Sequence, residues 1–238
     1  MKKVAKPKSS VASSARRSVS SKPAVPKRTY HHGDLRRALV DAAWTLVAEH
    51  GVSGLTLREV ARKVGVTHAA PYHHFPTRTA LLDALACEAF RALDAVNVAA
   101  LARSEEPGER MFLLGCSYVD FAREHPEQLQ VMFRRRNEGP DGEGASTEEL
   151  QQVGDAAFGH LFHAVVACQA AGVAPAGDPF ELALGAWSLV HGFSKLWVEG
   201  PLANMPPYAD RFAALRDITL RGLVDAWRDR ARAQQARR

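Results

Sequence analysis

The sequence predicts an all-α protein, in which a three-helix N-terminal domain is joined by one long helix to a larger C-terminal helical bundle. From Tyr30 onward, apolar residues recur every three or four positions, the period of a helix with one buried face. No stretch reads as a strand. Thr56, Thr67 and Thr77 stand where helices should begin, and Gly51, Gly65 and Pro76 where they should end. With 238 residues and 46% apolar content, the chain can bury a substantial core.

The first helix carries the stripe Leu35, Leu39, Ala43, Leu46 and Val47, with Asp34 near its positive end and Gly51 as its stop. Thr56-Leu57-Arg58-Glu59 has capping-box spacing, flanked by Leu55 and Val60 at hydrophobic-staple positions. The second helix therefore starts at Thr56, buries Val60, Ala61 and Val64, and ends at Gly65. Thr67 then caps a short polar helix from His68 to about Phe75, giving a helix-turn-helix over about 56–75. Pro71 lacks the amide for that helix's first bond, which a 3₁₀-like first turn accommodates. After Pro76, a long fourth helix runs from about Thr77 to Leu101.

Ser104-Glu105-Glu106-Pro107-Gly108 reads as a linker. Beyond it, helices are expected over 109–124, 126–135, 148–171, 179–199 and 209–232, with 137–146 as an exposed, mobile loop. The predicted organisation is thus a disordered tail at 1–28, an N-terminal domain at 29–98 and a C-terminal domain at 104–233.

Charge is unevenly spread. Nine of the 31 basic residues lie in 1–28, and no acid occurs before Asp34, so the remainder carries 22 basic against 26 acidic groups. The tail suits either a nucleic-acid-seeking arm or a solubilising extension. It lacks the apolar centre of a secretory signal, and no transmembrane stretch is present. Cys87, Cys116 and Cys168 have no paired spacing, which fits a reducing cytoplasm better than a disulfide framework.

Leu55 to Ala61, Gly65-Val66-Thr67, Pro71-Tyr72-His73-His74-Phe75 and Arg78 to Leu82 together resemble the N-terminal domain of the tetracycline-repressor (TetR) family. Trp187-Ser188-Leu189-Val190-His191-Gly192 is similar to the Trp-His-Gly (WHG) branch of its C-terminal domains. The resemblance implies a homodimeric transcriptional regulator, a repressor released from a palindromic operator by a small molecule. It implies phosphate contacts for Thr56, Tyr72 and Arg78, a base contact for Arg58, and a dimer interface formed by the last two long helices. Their apolar positions include Leu182, Leu189, Leu215, Ile218, Leu223 and Trp227.

The residues themselves support a DNA-binding head. In a helix-turn-helix the second helix enters the major groove, N-terminal end first, which puts Thr67, His68 and Ala69 at the base edges. Tyr72, His73 and His74 follow one turn on. Arginine can fork onto guanine, while hydroxyls and helix N-termini bind phosphate.

In the C-terminal half, Cys116, Tyr118, Phe121, Phe162, Trp187 and His191 are candidates for an effector pocket taking an apolar or aromatic molecule. The aromatic residues there suit a solid core or an interface equally, and His191 suits a hydrogen-bonded core histidine. Neither the tail-side pair His31 and His32 nor the group His68, His73 and His74 has metal-ligand spacing. His160 and His163 lack an accompanying Glu-x-x-His motif. No glycine-rich phosphate loop, nucleophile elbow or cofactor motif is read, so neither metal, cofactor nor enzymatic activity is expected. A regulator or architectural protein without an effector is the alternative reading, and a helical enzyme or ligand carrier the third.

Overall fold

The computed structural model describes residues 32–134, 147–200, 202–206 and 208–237. The basic tail, His31 and the 137–146 loop lie outside the described residues. All regular structure described is helical: α1 (His32–His50), α2 (Leu57–Val64), α3 (Arg78–Leu101), α4 (Pro107–Glu124), α5 (Pro126–Met132), α6 (Glu148–Ala170), α7 (Pro179–Val198) and α8 (Phe212–Gln235). Single 3₁₀ turns cover Val52–Gly54, Ala70–His73 and Ala209–Arg211.

Side-chain caps set most of the helix starts. Thr77 accepts from the Ala80 amide at 3.1 Å, Thr147 from Leu150 at 3.2 Å, and Asp178 from Phe180 at 2.8 Å. The Glu106 carboxylate accepts from the Gly108 amide at 2.9 Å and also from that of Glu109. Pro107 and Gly108, expected in a linker, therefore form the first turn of α4, where proline costs no hydrogen bond.

Two hydrophobic cores share α3. The first gathers Leu39, Leu46, Val60, Phe75, Leu82 and Leu85 of the N-terminal head, and it also includes Val131 of α5 and Leu150 of α6. The second starts at Ala89 and fills the space among α3, α4, α6, α7 and α8. The cores thus divide midway along α3, between Cys87 and Ala89, whereas the expected domain boundary follows the helix end near 98–104. A buried ion pair between Asp83 of α3 and Arg134, just after α5, ties the head to the body.

Helices α7 and α8 leave apolar side chains on their outer surfaces. Ile218 is 71% exposed, and Leu184 and Leu196 are also exposed. Leu182, Leu189, Leu215 and Leu223 are half-buried. Trp227, expected on the same outward face, is instead buried in the chain's own core, because the indole points inward with Leu220 and Val224.

Candidate nucleic-acid interface and effector cavity

Thr56 caps α2 as its spacing requires, its hydroxyl oxygen accepting from the Glu59 amide at 3.2 Å. The Glu59 carboxylate lies 3.2 Å from the same hydroxyl, so the expected return bond to the Thr56 amide is replaced by a side-chain pair. Gly65 ends α2 at φ 79°, a left-handed conformation in which its amide reaches the carbonyls of Ala61 and Arg62. That turn aims the following segment away from α2.

The segment after the turn corrects the expected second helix. It is not an α-helix capped by Thr67 but a 3₁₀ turn over Ala70–His73, without a side-chain cap. Pro71 is the physical reason. It has no amide to extend an α-helical ladder, and its own ring is buried against the head. Thr67, His68, Ala69 and His73 remain exposed, and Tyr72 is 49% exposed. Thr56, the cap of α2, and Arg58 in its first turn are also exposed, so all seven of these residues face solvent. His74 is half-buried and engaged in an interaction of its own.

Arg78 has contacts within the head that its expected role did not include. Its Nε donates to the Leu55 carbonyl at 2.8 Å and one terminal nitrogen donates to that of Val52 at 2.6 Å. Two of its N–H groups hold the start of α3 against the entry to α2, a positioning role beside the phosphate contact expected of this half-buried side chain.

In the body, α3, α4, α6 and α7 line a partly open cavity of about 340 Å³, with the exposed Phe180 and Leu184 among its lining residues. Phe90, Phe133, Phe158, Phe180 and Trp187 give it aromatic walls, with Met111, Leu114 and Leu161 between them. Edge and tilted ring contacts of 5.8–6.3 Å link Phe133, Trp187, Phe158 and Phe180 into one surface. The polar groups on the wall are Asn97, Tyr118 and the Trp187 indole.

Tyr118 and His191 lie 2.8 Å apart, phenol oxygen to Nδ1. Burial, reinforced by the Lys195 charge, lowers the His191 pKa and favours the neutral ring, hydrogen-bonded through Nδ1 to the Tyr118 hydroxyl. Burial also pushes the Tyr118 phenol well above its usual range, partly offset by Trp187. His191 therefore supports the wall from behind by orienting Tyr118.

The other pocket candidates are elsewhere. Cys116 is buried toward α8, its sulfur 3.9 Å from Asp217, and burial raises its thiol to about 11. Phe121 packs on His125, and Phe162 on His163. Cys116 sits within one helical turn of the lining residues on α4, and a step of one or two positions suffices to turn a side chain to another face. Among the described residues, no group of His, Cys, Asp and Glu could hold a metal, and no helix is long and apolar enough to cross a membrane.

Comparison with known proteins agrees with this two-part layout. Residues 39–85 match the model described as bacterial regulatory proteins, tetR family, and residues 111–217 match that of a tetracyclin repressor-like C-terminal domain. The chain belongs to the TetR family.

The class D tetracycline repressor of Escherichia coli is 45% identical over 53 residues, 22% of this chain and 24% of the repressor. The chain thus spans about a quarter of the length of the curated relatives it matches first. A solved protein of unknown function from Rhodococcus sp. RHA1 is 36% identical, with a TM-score of 0.67, covering 83% of this chain and all of its own. The TetR-family regulator PfmR of Thermus thermophilus shares the fold at a TM-score of 0.58 and 19% identity, covering 77% of this chain and 97% of its own.

Several wall residues of this TetR-family chain escaped sequence reasoning. Phe90, Phe133 and Phe180 were hidden because helical periodicity gives the apolar face but not which neighbour it meets. Asn97 had a legible signal: it interrupts the apolar positions Leu93 and Leu101 one turn to either side on α3.

Proposed function

We propose that the protein is a transcriptional regulator, a ligand-responsive repressor that binds a palindromic operator as a homodimer in the cytoplasm. The observation that carries this reading is the exposed group Thr56, Arg58, Thr67, His68, Ala69, Tyr72 and His73 on either side of the left-handed Gly65 turn. The Thr56 hydroxyl at the cap of α2 and the phenol of Tyr72 suit phosphate, and Arg58 suits a guanine edge. His68 and Ala69 offer an imidazole and a methyl to bases in the major groove.

The outward residues Leu184, Leu196 and Ile218 of α7 and α8 support pairing with a second copy through a four-helix contact. Gly185, Gly192 and Gly222 have open space where a side chain would stand, which suits close helix approach. The apolar cavity supports an effector of apolar or aromatic character. Because α3 carries both Arg78 at the head and Asn97 at the cavity, a ligand that favours another α3 orientation weakens DNA binding by its ratio of affinities for the two states.

The test is selection of bound duplexes from a random pool. The selected sequence is then titrated by fluorescence anisotropy against unrelated DNA at two salt concentrations. A dyad-symmetric consensus bound at least about a thousandfold tighter than unrelated DNA is expected. Absence of any enriched sequence refutes operator recognition, and a monomer in sedimentation at operator-binding concentrations refutes the dimer.

A further inference from the structure

Resting on the effector reading above, the geometry points to a neutral effector with an apolar, partly flat body and one hydrogen-bond acceptor, a carbonyl for example, received by the side-chain amide of Asn97. Asn97 is then the specificity-determining residue of the cavity. It is 4% exposed, borders the cavity from α3, and is one of three buried polar or charged side chains among the described residues.

Its amide is half satisfied. The Ser117 hydroxyl of α4 shares its one proton between Asn97 Oδ1 at 2.9 Å and the Leu114 carbonyl at 2.8 Å, which fixes the amide against α4. Among the described residues, the Asn97 amide nitrogen has no hydrogen-bond partner. That nitrogen is not sealed from the cavity, and a ligand carbonyl placed there gives it the acceptor it lacks.

The rest of the wall narrows the chemistry. Tyr118 carries the hydroxyl on the wall, and that hydroxyl is already hydrogen-bonded to His191 Nδ1. No acidic or basic side chain lines the cavity among the described residues. A carboxylate would enter without a cation, and an ammonium without an anion, each losing its hydration for little return. Aromatic faces do attract quaternary ammonium ions, but a wall without a carboxylate leaves such an ion with ring faces alone. A neutral acceptor satisfies the one open group and leaves no charge stranded.

The experiment compares four probes of nearly the same shape on the full-length protein without DNA. They are 2-acetonaphthone, 2-ethylnaphthalene, 2-naphthoate and 2-naphthyltrimethylammonium, titrated by calorimetry and by quenching of tryptophan fluorescence. The ketone is expected to bind about threefold to tenfold more tightly than the ethyl compound, the scale of one net hydrogen bond, and both more tightly than either ion. In Asn97→Leu the ketone's advantage is expected to vanish while 2-ethylnaphthalene still binds. Ser117 keeps the Leu114 carbonyl, so this variant strands no hydroxyl.

Equal affinity for ketone and ethyl compound in the wild type overturns the proposal, as does an advantage that survives in Asn97→Leu. Tightest binding by either ion overturns it too, and so does failure of all four probes to bind. If Asn97→Leu does not fold, as judged by circular dichroism, the wild-type ranking alone decides. Because operator DNA is absent, these outcomes are independent of whether the protein recognises DNA. Adding the selected duplex afterwards tests the switch separately.

Discussion

Replacing Arg78 with alanine separates two roles that predict opposite measurements. If the side chain is a clamp, its removal costs stability. It donates from a charged group to two backbone carbonyls at 2.6 and 2.8 Å, bonds worth about 1.5–3 kcal/mol each when buried. Two features reduce that sum: the side chain is half-buried, and the Val52 carbonyl keeps the Leu55 amide as a donor at 3.3 Å. We therefore expect a loss of about 2 kcal/mol in urea unfolding, located mainly at the Leu55 carbonyl.

The salt dependence of DNA binding provides the contrast. A phosphate contact contributes about 0.9 to the slope of log affinity against log salt for duplex DNA. As a clamp alone, Arg78 contributes nothing to this slope, so Arg78→Ala should then bind more weakly with the slope unchanged. Unaltered unfolding together with a slope lower by about 0.9 per subunit would refute the clamp and leave Arg78 with the phosphate contact only.

Three further outcomes are expected. Gly65→Ala meets no steric neighbour, so its cost is that of the left-handed backbone alone, about 1–2 kcal/mol in denaturant unfolding; Gly65→Asn should lose less. Arg58→Ala should flatten one operator position by about 1–3 kcal/mol in duplex selection, whereas Tyr72→Phe should weaken all duplexes alike, and an unchanged consensus without Arg58 ends its reading role. His191 has a folded pKa below its ordinary 6.5, so below that pH the unfolded chain binds a proton the folded chain does not, and stability falls with pH until the folded ring titrates. Unfolding compared at about pH 7.5 and about pH 5.5, on either side of that ordinary value, should show a smaller drop for His191→Gln than for the wild type.

Local sequence logic reached far in the head, because its signals act over a few residues. Thr56, Gly65 and Thr77 behave as their cap and stop chemistry demands. Pro71 was legible as a disturbance of the first turn, yet the whole segment became 3₁₀, since burial of the ring fixes its orientation from outside the segment. Arg78 could not be read from sequence. Its acceptors are carbonyls 23 and 26 residues earlier, brought near by the turn of the chain. In the body, periodicity marks which residues are apolar but not which helix they meet. Tyr118 and Trp187 therefore reach the cavity while Cys116, Phe121 and Phe162, equally eligible by composition, do not. Trp227 turned inward for the same reason.

The presence of Val131 and Leu150 in the core of the head bears on how such proteins can be recombined. A head cut out near residue 103 would expose the apolar seats that these two side chains fill, and would lose the Arg134 partner of Asp83. Grafting it onto a foreign body would meet the same gap unless that body offered matching side chains at the ends of the equivalent helices. Modularity here has a local price: exchange of binding specificities between relatives requires the junction to travel with the head, as a short discontinuous patch contributed by the body.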